Sequence, residues 1–199
     1  MRIFIAGCGR SGTKVLRIQM QGLADSLVLE GEHDFTALAN VYRGIPHAVV
    51  KRTASSHLTL HELPSDIRLL YCVRHPFDAL TSPNPTTVHL RPYHITPTRW
   101  LEEYRGLGRL EARQPRRDIC FVRYEDLVSD PPKMQERIAA FLPLPFAHPF
   151  GTHATLFTTS IHKWKMDSGR RAYLEKLPAD LWPPMTAFAG RFEYDLTLA

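Results

Sequence analysis

The feature that most constrains the fold is a glycine-rich segment at residues 7–14, which reads Gly-Cys-Gly-Arg-Ser-Gly-Thr-Lys. It follows a short apolar run, residues 2–6, that predicts a buried strand, and it precedes a helical pattern that begins at Val15. Glycines permit the tight, partly left-handed backbone that turns successive N–H groups inward, and the helix N-terminus directs its own free N–H groups to the same point. The segment therefore predicts an anion-binding loop, most often a phosphate-binding one.

Two common phosphate-binding loops fit this segment incompletely. The loop of nucleotide triphosphatases places a lysine directly after its second glycine. Gly7 and Gly12 have the required spacing, but Thr13 stands where that lysine belongs. Gly7, Gly9 and Gly12 also match a dinucleotide-binding fingerprint, for which Glu30 or Glu32, about 20 residues on, would be the acidic partner. Arg10, Ser11 and Thr13 weaken this match. An ordinary tight connection between strand and helix is a further alternative.

The same segment resembles a different loop more closely. Arg10, Ser11, Gly12 and Thr13 resemble the 5′-phosphosulfate loop of the sulfotransferases, in which a basic residue, Ser or Thr, Gly and Thr follow the first strand. The donor in that family is 3′-phosphoadenosine 5′-phosphosulfate (PAPS). The resemblance implies that the donor is bound by Gly9, Arg10, Ser11, Gly12, Thr13 and Lys14. It also implies a catalytic role for Arg10, which would stabilise the charge that develops on the departing nucleotide.

A second resemblance follows the central predicted strand, residues 67–73. Arg74 ends this strand, Pro76 predicts the first turn of a helix, and Ser82 lies eight residues after Arg74, near the same helix face. Sulfotransferases bind the 3′-phosphate of PAPS with an arginine and a serine at this spacing. A guanidinium provides a forked, permanently charged contact to phosphate oxygens, and serine adds a hydroxyl donor.

The late segment at residues 159–165 resembles the part of the sulfotransferases where basic residues close over the nucleotide. The resemblance implies that Lys163 binds the donor. Trp164 either stacks on the adenine or covers the hydrophobic core.

A general base is expected beyond the carboxyl end of the second predicted strand, residues 26–29, because strand ends face the ligand crevice in open α/β sheets. Glu32 lies there, and in several branches of the sulfotransferases a glutamate in this region deprotonates the acceptor hydroxyl. Glu30 and His33 are near alternatives, and His57 and His61 follow the third predicted strand, residues 47–51. An equally supported alternative is that the acidic residues at positions 30, 32 and 34 indicate the start of a helix over residues 35–42.

Two further segments carry chemistry-bearing residues. Residues 83–97 form a long loop, typical of a lid or a substrate wall, in which Arg91, Tyr93 and His94 face either an acceptor or solvent. The segment that begins Tyr-Glu-Asp-Leu at residue 124 also resembles a recurrent sulfotransferase segment. We expect its carboxylates, Glu125 and Asp126, to cap a turn rather than to catalyse, because they would repel an anionic donor.

Composition restricts the class of protein. The 199 residues are enough for one domain, residues 1–199, with a sizeable core, and the net charge of +5 favours an anionic ligand. No nucleic-acid motif and no apolar run long enough to span a membrane occur in the sequence, so neither a nucleic acid nor a membrane span is expected. Three cysteines without metal-ligand spacing and a first strand that leaves no room for a signal peptide predict a cytoplasmic protein with reduced thiols, with a nucleophilic Cys8 as a remote alternative.

Strand, phosphate loop and helix followed by repeated strands and helices predict a three-layer α/β/α sandwich with a mainly parallel sheet. The resemblance implies the P-loop-like sulfotransferase fold and transfer of a sulfuryl group from PAPS to a hydroxyl, or an amine, of a small-molecule or carbohydrate acceptor without a metal. The alternative enzyme is an ATP- and Mg²⁺-dependent kinase or nucleotide hydrolase, which would use Lys14 and a metal carboxylate from Asp78 or Asp126. A regulator that binds the nucleotide without turnover is the non-enzymatic alternative. The acceptor and the oligomeric state stay open.

Overall fold

A sheet of five parallel strands forms the centre of the protein, in the order β2-β3-β1-β4-β5. The computed structural model describes residues 1–40, 45–115 and 117–198. The strands are β1 Arg2–Gly7, β2 Ser26–Val28, β3 His47–Lys51, β4 Ile67–Val73 and β5 Ile119–Arg123. The mainly parallel sheet expected from the alternation of strands and helices is confirmed.

Helices connect these strands and form the C-terminal third of the chain. The α-helices are α1 Thr13–Gln19, α2 Ala37–Asn40, α3 Ser56–Thr59, α4 Pro76–Leu80, α5 Pro97–Arg113, α6 Tyr124–Ser129, α7 Pro131–Phe141, α8 Ser168–Leu174 and α9 Trp182–Phe192. Short 3₁₀ helices lie at Met20–Gly22, Leu60–Glu62, Thr152–Ser160, Lys163–Met166 and Ala179–Leu181. Proline lies in the first turn of α5, α7 and α9, because its missing N–H would be unpaired there in any helix.

Hydrophobic side chains alternate between the two faces of the sheet, as expected for strands buried on both sides. Phe4 and Ala6 of β1 pack in one core beside α2, α4, α5 and α9. Ile3 and Ile5 pack in the opposite core beside α1, α6 and α7. Helices therefore cover both faces, and the three-layer α/β/α sandwich is confirmed.

The strand order creates a crevice between β1 and β4. The chain leaves β1 toward β2 and β3 on one side of the sheet, whereas it leaves β4 toward β5 on the other. Loops at the carboxyl ends of two such neighbouring strands diverge, and ligands of open α/β sheets bind where they do. The glycine-rich loop follows β1 and Arg74 follows β4, so both lie at this switch point.

Some local expectations differ from the structure. The segment from Tyr124 forms helix α6 rather than a capped turn, because its own backbone closes helical hydrogen bonds as far as Ser129. Of the helix expected over residues 35–42, Ala37–Asn40 is helical, residues 35 and 36 form a turn before it, and residues 41–44 lie outside the described residues. Within the described ranges, no helix has the length and apolar character needed to cross a membrane.

Candidate active site

The glycine-rich loop has the left-handed backbone that its sequence predicts. Gly7 and Gly12 have φ of 133° and 94°, and Arg10 between them has φ of 69°. A Cβ atom on Gly12 would lie 2.5 Å from Cδ2 of Tyr124, so only glycine lets the loop approach that ring. The backbone conformation and the close approach together explain the glycine at position 12.

The loop ends at the N-terminus of α1, whose first helical residue is Thr13. Ser11 is buried beneath the loop, and its Oγ donates a hydrogen bond to the carbonyl oxygen of Cys8 at 2.5 Å. Ser11 therefore stabilises the loop from inside. The other residues predicted for donor binding in this segment line a large cavity above the loop: Gly9, Arg10, Gly12, Thr13 and Lys14.

Arg74 links the two loops of the crevice. Its Nη1 donates to the carbonyl oxygen of Arg10 at 2.9 Å, and its Nη2 donates to the carbonyl oxygen of Ser160 at 2.8 Å. The guanidinium lies 4.2 Å from the centre of the Tyr124 ring, and the Tyr124 hydroxyl is 2.6 Å from Oγ of Ser160. Nε of Arg74 is buried and has no hydrogen-bond partner among the described residues.

Ser82 lies on the other side of the same loop. Its Oγ accepts a hydrogen bond from Nε of Arg10 at 2.9 Å, although Ser82 itself does not line the cavity. Burial and the nearby positive charge of Arg74 lower the pKa of the Arg10 guanidinium. The structure thus brings Arg10, Arg74 and Ser82 together at one point, and the two guanidinium groups raise the local positive potential.

Glu32 extends into the cavity beside the end of β3. Its Oε1 accepts a hydrogen bond from Nζ of Lys51 at 2.7 Å; the Lys51 side chain is buried, whereas that of Glu32 is about half exposed. The lysine therefore fixes the position of the carboxylate at the mouth of the cavity.

The other residues considered as the base lie outside the cavity lining. Glu30 is exposed at the surface and lies 4.0 Å from Arg17, and Nε2 of His33 is 2.6 Å from the carbonyl oxygen of Glu30. His57 is buried under α5, and burial lowers its pKa. His61 lies 3.7 Å from Glu62.

A buried ionic cluster that sequence reasoning missed forms the floor of the cavity. Oε1 of Glu103 on α5 lies 2.8 Å from Nη1 of Arg52 and 2.8 Å from Nη2 of Arg99. Arg99 and Glu103 are four residues apart on one helix, which is a detectable spacing. Arg52 and Glu103 are 51 residues apart in the sequence, so their contact requires the fold.

The loop at residues 83–97 forms one wall of the cavity, through Asn84, Arg91, His94 and Ile95. Nδ1 of His94 lies 3.1 Å from Oγ1 of Thr87 and 3.4 Å from Nδ2 of Asn84. Burial and three neighbouring arginines lower the pKa of His94. The wall position agrees with one of the two roles expected for this loop.

The cavity above these groups has a volume of about 910 Å³. Its lining is strongly cationic, with two carboxylates and seven basic side chains, a formal net charge of +5. These are Glu32 and Glu103, against Arg10, Lys14, Lys51, Arg52, Arg74, Arg91 and Arg99. A cleft of this size and charge suits a large anionic ligand.

The late segment does not reach this cavity. Trp164 is fully buried, with its ring 5.0 Å from that of Phe77 and 5.7 Å from that of His75. Its position corresponds to core packing, the second of the two roles considered for it. Lys163 is exposed and lies outside the cavity lining.

The carboxylates named for the metal-dependent alternative also lie outside the cavity lining. Asp78 is buried and accepts a hydrogen bond from the backbone N–H of His162 at 2.8 Å. Asp126 lies on α6, 3.9 Å from Arg123. In the described part of the chain, no three His, Cys, Asp or Glu side chains are grouped as a metal site would need.

Glu125 and the cysteines have structural surroundings. Glu125 accepts hydrogen bonds from the backbone N–H of His75 and from the hydroxyl of Tyr194, both at 2.9 Å, so it joins α6 to the start of α4 and to the C-terminal segment. Cys8, Cys72 and Cys120 are unpaired. Burial raises the pKa of Cys8 far above its ordinary value, which opposes a thiolate nucleophile at this position.

A glycine-rich loop at the switch point of a parallel sheet, opening into a cationic cleft, defines an α/β protein of the P-loop-like class with a cleft suited to anionic ligands. The sequence matches the family model described as "Sulfotransferase family" over residues 35–148, more than half of the chain. The chain therefore belongs to the sulfotransferase family of enzymes. The matched region includes Arg74 and Ser82 and begins after the phosphate loop.

Solved structures share this fold. The sulfotransferase domain from the curacin biosynthetic pathway has 18% sequence identity and a TM-score of 0.65, over 98% of both chains. The sulfotransferase domain from the Synechococcus PCC 7002 olefin synthase has 19% identity and a TM-score of 0.69, over 98% of this chain and 95% of that domain. The sulfotransferase STF9 from Mycobacterium avium has 13% identity and a TM-score of 0.54, over 98% of this chain and 77% of that protein. The sequence matches no curated protein.

Proposed function

We propose that this sulfotransferase takes its sulfuryl group from PAPS and transfers it to a hydroxyl group, or to an amine, of an acceptor molecule. The observation that carries this proposal is the junction of Arg10, Arg74 and Ser82 between β1 and β4, under a cavity of about 910 Å³ with a net positive lining. PAPS has phosphate groups at two ends of its ribose and a sulfate on one of them. Such a ligand needs two anion sites, which we assign to the glycine-rich loop and to Arg74 with Ser82.

The phosphate loop is the proposed site of the 5′-phosphosulfate. Thr13 and Lys14 begin α1 and line the cavity with Gly12, so the free N–H groups of the helix start, the Thr13 hydroxyl and the Lys14 ammonium are the proposed contacts. Arg10 lies beside them. Since a helix N-terminus and fixed cations favour negative charge, they support binding of the phosphosulfate there.

Arg74 and Ser82 are the proposed ligands of the 3′-phosphate. Arg74 already has its orientation fixed by Arg10, Ser160 and the Tyr124 ring, and it has a spare buried Nε–H. A fixed guanidinium loses little conformational entropy on binding phosphate. ATP has no phosphate at the 3′ position, so it would leave these donors unpaired, and this difference supports selection of PAPS.

The proposed reaction is an in-line displacement at sulfur. The acceptor oxygen forms a bond to sulfur while the bond from sulfur to the bridging oxygen of the 5′-phosphate breaks, and the departing nucleotide takes the electron pair. Arg10, Thr13 and the loop N–H groups stabilise the negative charge on that oxygen. Glu32 takes the proton of the acceptor hydroxyl, and Lys51, 2.7 Å away, holds the carboxylate in place.

Calorimetric titration with adenosine 3′,5′-bisphosphate, the desulfated product, tests the donor. We expect metal-independent binding that is tighter than binding of ATP with Mg²⁺. Arg74→Ala should lower this affinity by about 100-fold, because it removes a charge-assisted, forked contact. Arg113→Ala, an exposed arginine at the end of α5, is the matched control and should bind like the wild type.

Arg74 is buried, so circular dichroism and the unfolding midpoint must show that the variant is folded. Ser82→Ala is the second variant, since it removes only a hydroxyl, and we expect a loss of about 5- to 10-fold. Preference for ATP with Mg²⁺ would overturn the donor assignment and favour the kinase alternative. Unchanged affinity in both folded variants would remove Arg74 and Ser82 from the donor site.

A further inference from the structure

The cavity has more positive charge than the proposed donor site uses. Arg10, Lys14 and Arg74 belong to the loops that would hold the two ends of PAPS, and Lys51 is paired with Glu32. Two more arginines, Arg91 and Arg99, line the cavity together with Asn84, His94 and Ile95, and we call these five residues the acceptor wall; Arg52 and Glu103 line the floor.

The guanidinium of Arg52 has hydrogen-bond and ion-pair partners within the protein. It is buried, and it donates hydrogen bonds to the carbonyl oxygens of Gly7, Thr53 and Ala54 in addition to its ion pair with Glu103. The charge of Glu103 is thus matched by a guanidinium that no ligand needs to contact. Arg52 and Glu103 form a neutral buried pair.

Arg99 therefore contributes a positive charge without a carboxylate of its own. Its Nε and Nη2 both donate to Oε1 of Glu103, at 3.2 Å and 2.8 Å, and its Nη1 has no hydrogen-bond partner among the described residues. The shared contact with Glu103 holds the guanidinium in one orientation at the cavity surface. Arg99 also lies in the first turn of α5, where the helix dipole adds positive potential.

Arg91 is the second unmatched cation of the wall. Its side chain is exposed, it lines the same cavity, and it forms no ion pair with any described residue. His94 is part of this wall. Burial and the nearby charges of Arg10, Arg91 and Arg99 lower its pKa, and Glu32 opposes them only in part, so the imidazole lies in a positive potential.

From this arrangement we propose that the acceptor carries an anionic group, a carboxylate or a phosphate or sulfate ester, which Arg91 and Arg99 bind while the acceptor hydroxyl lies at Glu32. Two arginines on one wall give such a group charge-assisted hydrogen bonds and orientation. The inference rests on the proposed function, because it assigns the three other free cations to PAPS. Uncharged alcohols and phenols would then be poor acceptors.

Binding of small probes that lack a hydroxyl tests the acceptor wall without turnover. Protein saturated with PAPS, so that Arg10 is occupied, is titrated with benzoate, phenyl phosphate and the uncharged analogue benzamide, and binding is followed by NMR. We expect benzoate or phenyl phosphate to bind at least about tenfold more tightly than benzamide, with the stronger of the two identifying carboxylate or phosphate chemistry.

The double variant Arg91→Gln/Arg99→Gln should abolish that preference. Arg105→Gln, which removes the same charge from an exposed position of α5 outside the cavity, should retain it. Adenosine 3′,5′-bisphosphate affinity is measured on each protein. Two outcomes would overturn the proposal of an anionic acceptor but not the proposed function, provided that the bisphosphate still binds. They are equal binding of all three probes and a preference for the anionic probes that survives the double variant. If the wild-type protein does not bind adenosine 3′,5′-bisphosphate, the proposed function is wrong, and this inference with it.

Discussion

Glu103→Gln is the substitution that most directly tests how the floor of the cavity is held. Glutamine keeps the size of the side chain and one acceptor oxygen, but it removes the negative charge between two guanidinium groups. Side-chain exposure is 7% for Arg52 and 4% for Glu103, so water cannot replace the lost charge. The variant therefore leaves a buried arginine without a counter-ion.

The magnitude follows from the contacts that remain. Removing one partner of a buried ion pair costs about 3–5 kcal/mol. Arg52 keeps three carbonyl acceptors, and the new amide oxygen can still accept one hydrogen bond, so we expect a loss at or just below the lower end of this range, about 2–3 kcal/mol. Because Arg52 also binds the carbonyl oxygen of Gly7, part of the loss should appear as a more mobile phosphate loop.

Urea denaturation followed by circular dichroism gives the free energy of unfolding for both proteins. The matched control is Glu102→Gln, the neighbouring residue on α5, whose side chain is 48% exposed and lies 3.8 Å from His57. We expect this control to change stability by less than about 0.5 kcal/mol. If Glu103→Gln is as mild as its control, the charge of Glu103 does not stabilise the cluster, and the description of Arg52 and Glu103 as a neutral buried pair is wrong.

Three further predictions concern the loop, the base and a buried histidine. Gly12→Ala should lower the free energy of unfolding by at least about 2 kcal/mol, because the backbone there is left-handed and the new Cβ atom would clash with Tyr124. The control Gly108→Ala, in an open part of α5, should be neutral or stabilising in the same denaturation assay. Glu32→Gln should leave adenosine bisphosphate affinity within about twofold but lower sulfuryl transfer to a hydroxyl acceptor by at least about 100-fold; unchanged turnover excludes Glu32 as the base. Burial lowers the pKa of His75, and its Nδ1 accepts a hydrogen bond from the backbone N–H of Phe77. The unfolded chain therefore binds more protons than the folded one, so the free energy of unfolding should fall as the pH drops below about 6.5. His75→Asn should reduce that pH dependence, and an unaltered slope would contradict it.

Much of the fold was predictable because a parallel sheet leaves a strong local signal. Strands buried on both faces are continuous apolar runs, and β3 and β4 have the bounds predicted for them, His47–Lys51 and Ile67–Val73. Proline marked the start of α4 at Pro76, whereas α5 begins at Pro97, the last residue of the predicted loop, with Thr96 accepting from the backbone N–H of Arg99. The order of these signals along the chain was enough for the three-layer class.

The candidate site was predictable only where one segment supplies the chemistry. Arg10 and Arg74 each follow a strand, and parallel strands bring their carboxyl ends to one edge, so their proximity follows from the topology. Contacts between residues far apart in the sequence have no local sequence pattern from which they could be predicted. The pairing of Tyr124 with Ser160 and the buried pair formed by Arg52 depend on how α5 and α6 pack on the sheet.

Two arginines hold the backbone of the glycine-rich loop in one conformation by binding its carbonyl groups. Arg52 follows β3 and donates to the carbonyl oxygen of Gly7 at 2.5 Å, and Arg74 follows β4 and donates to the carbonyl oxygen of Arg10 at 2.9 Å. Two of the carbonyl groups of the loop are thus held by arginines that follow the strands on either side of β1, and Ser11 holds that of Cys8. For the proposed donor site, carbonyl groups paired in this way would reduce the rearrangement that anion binding requires, and the strand order β3-β1-β4 positions both arginines.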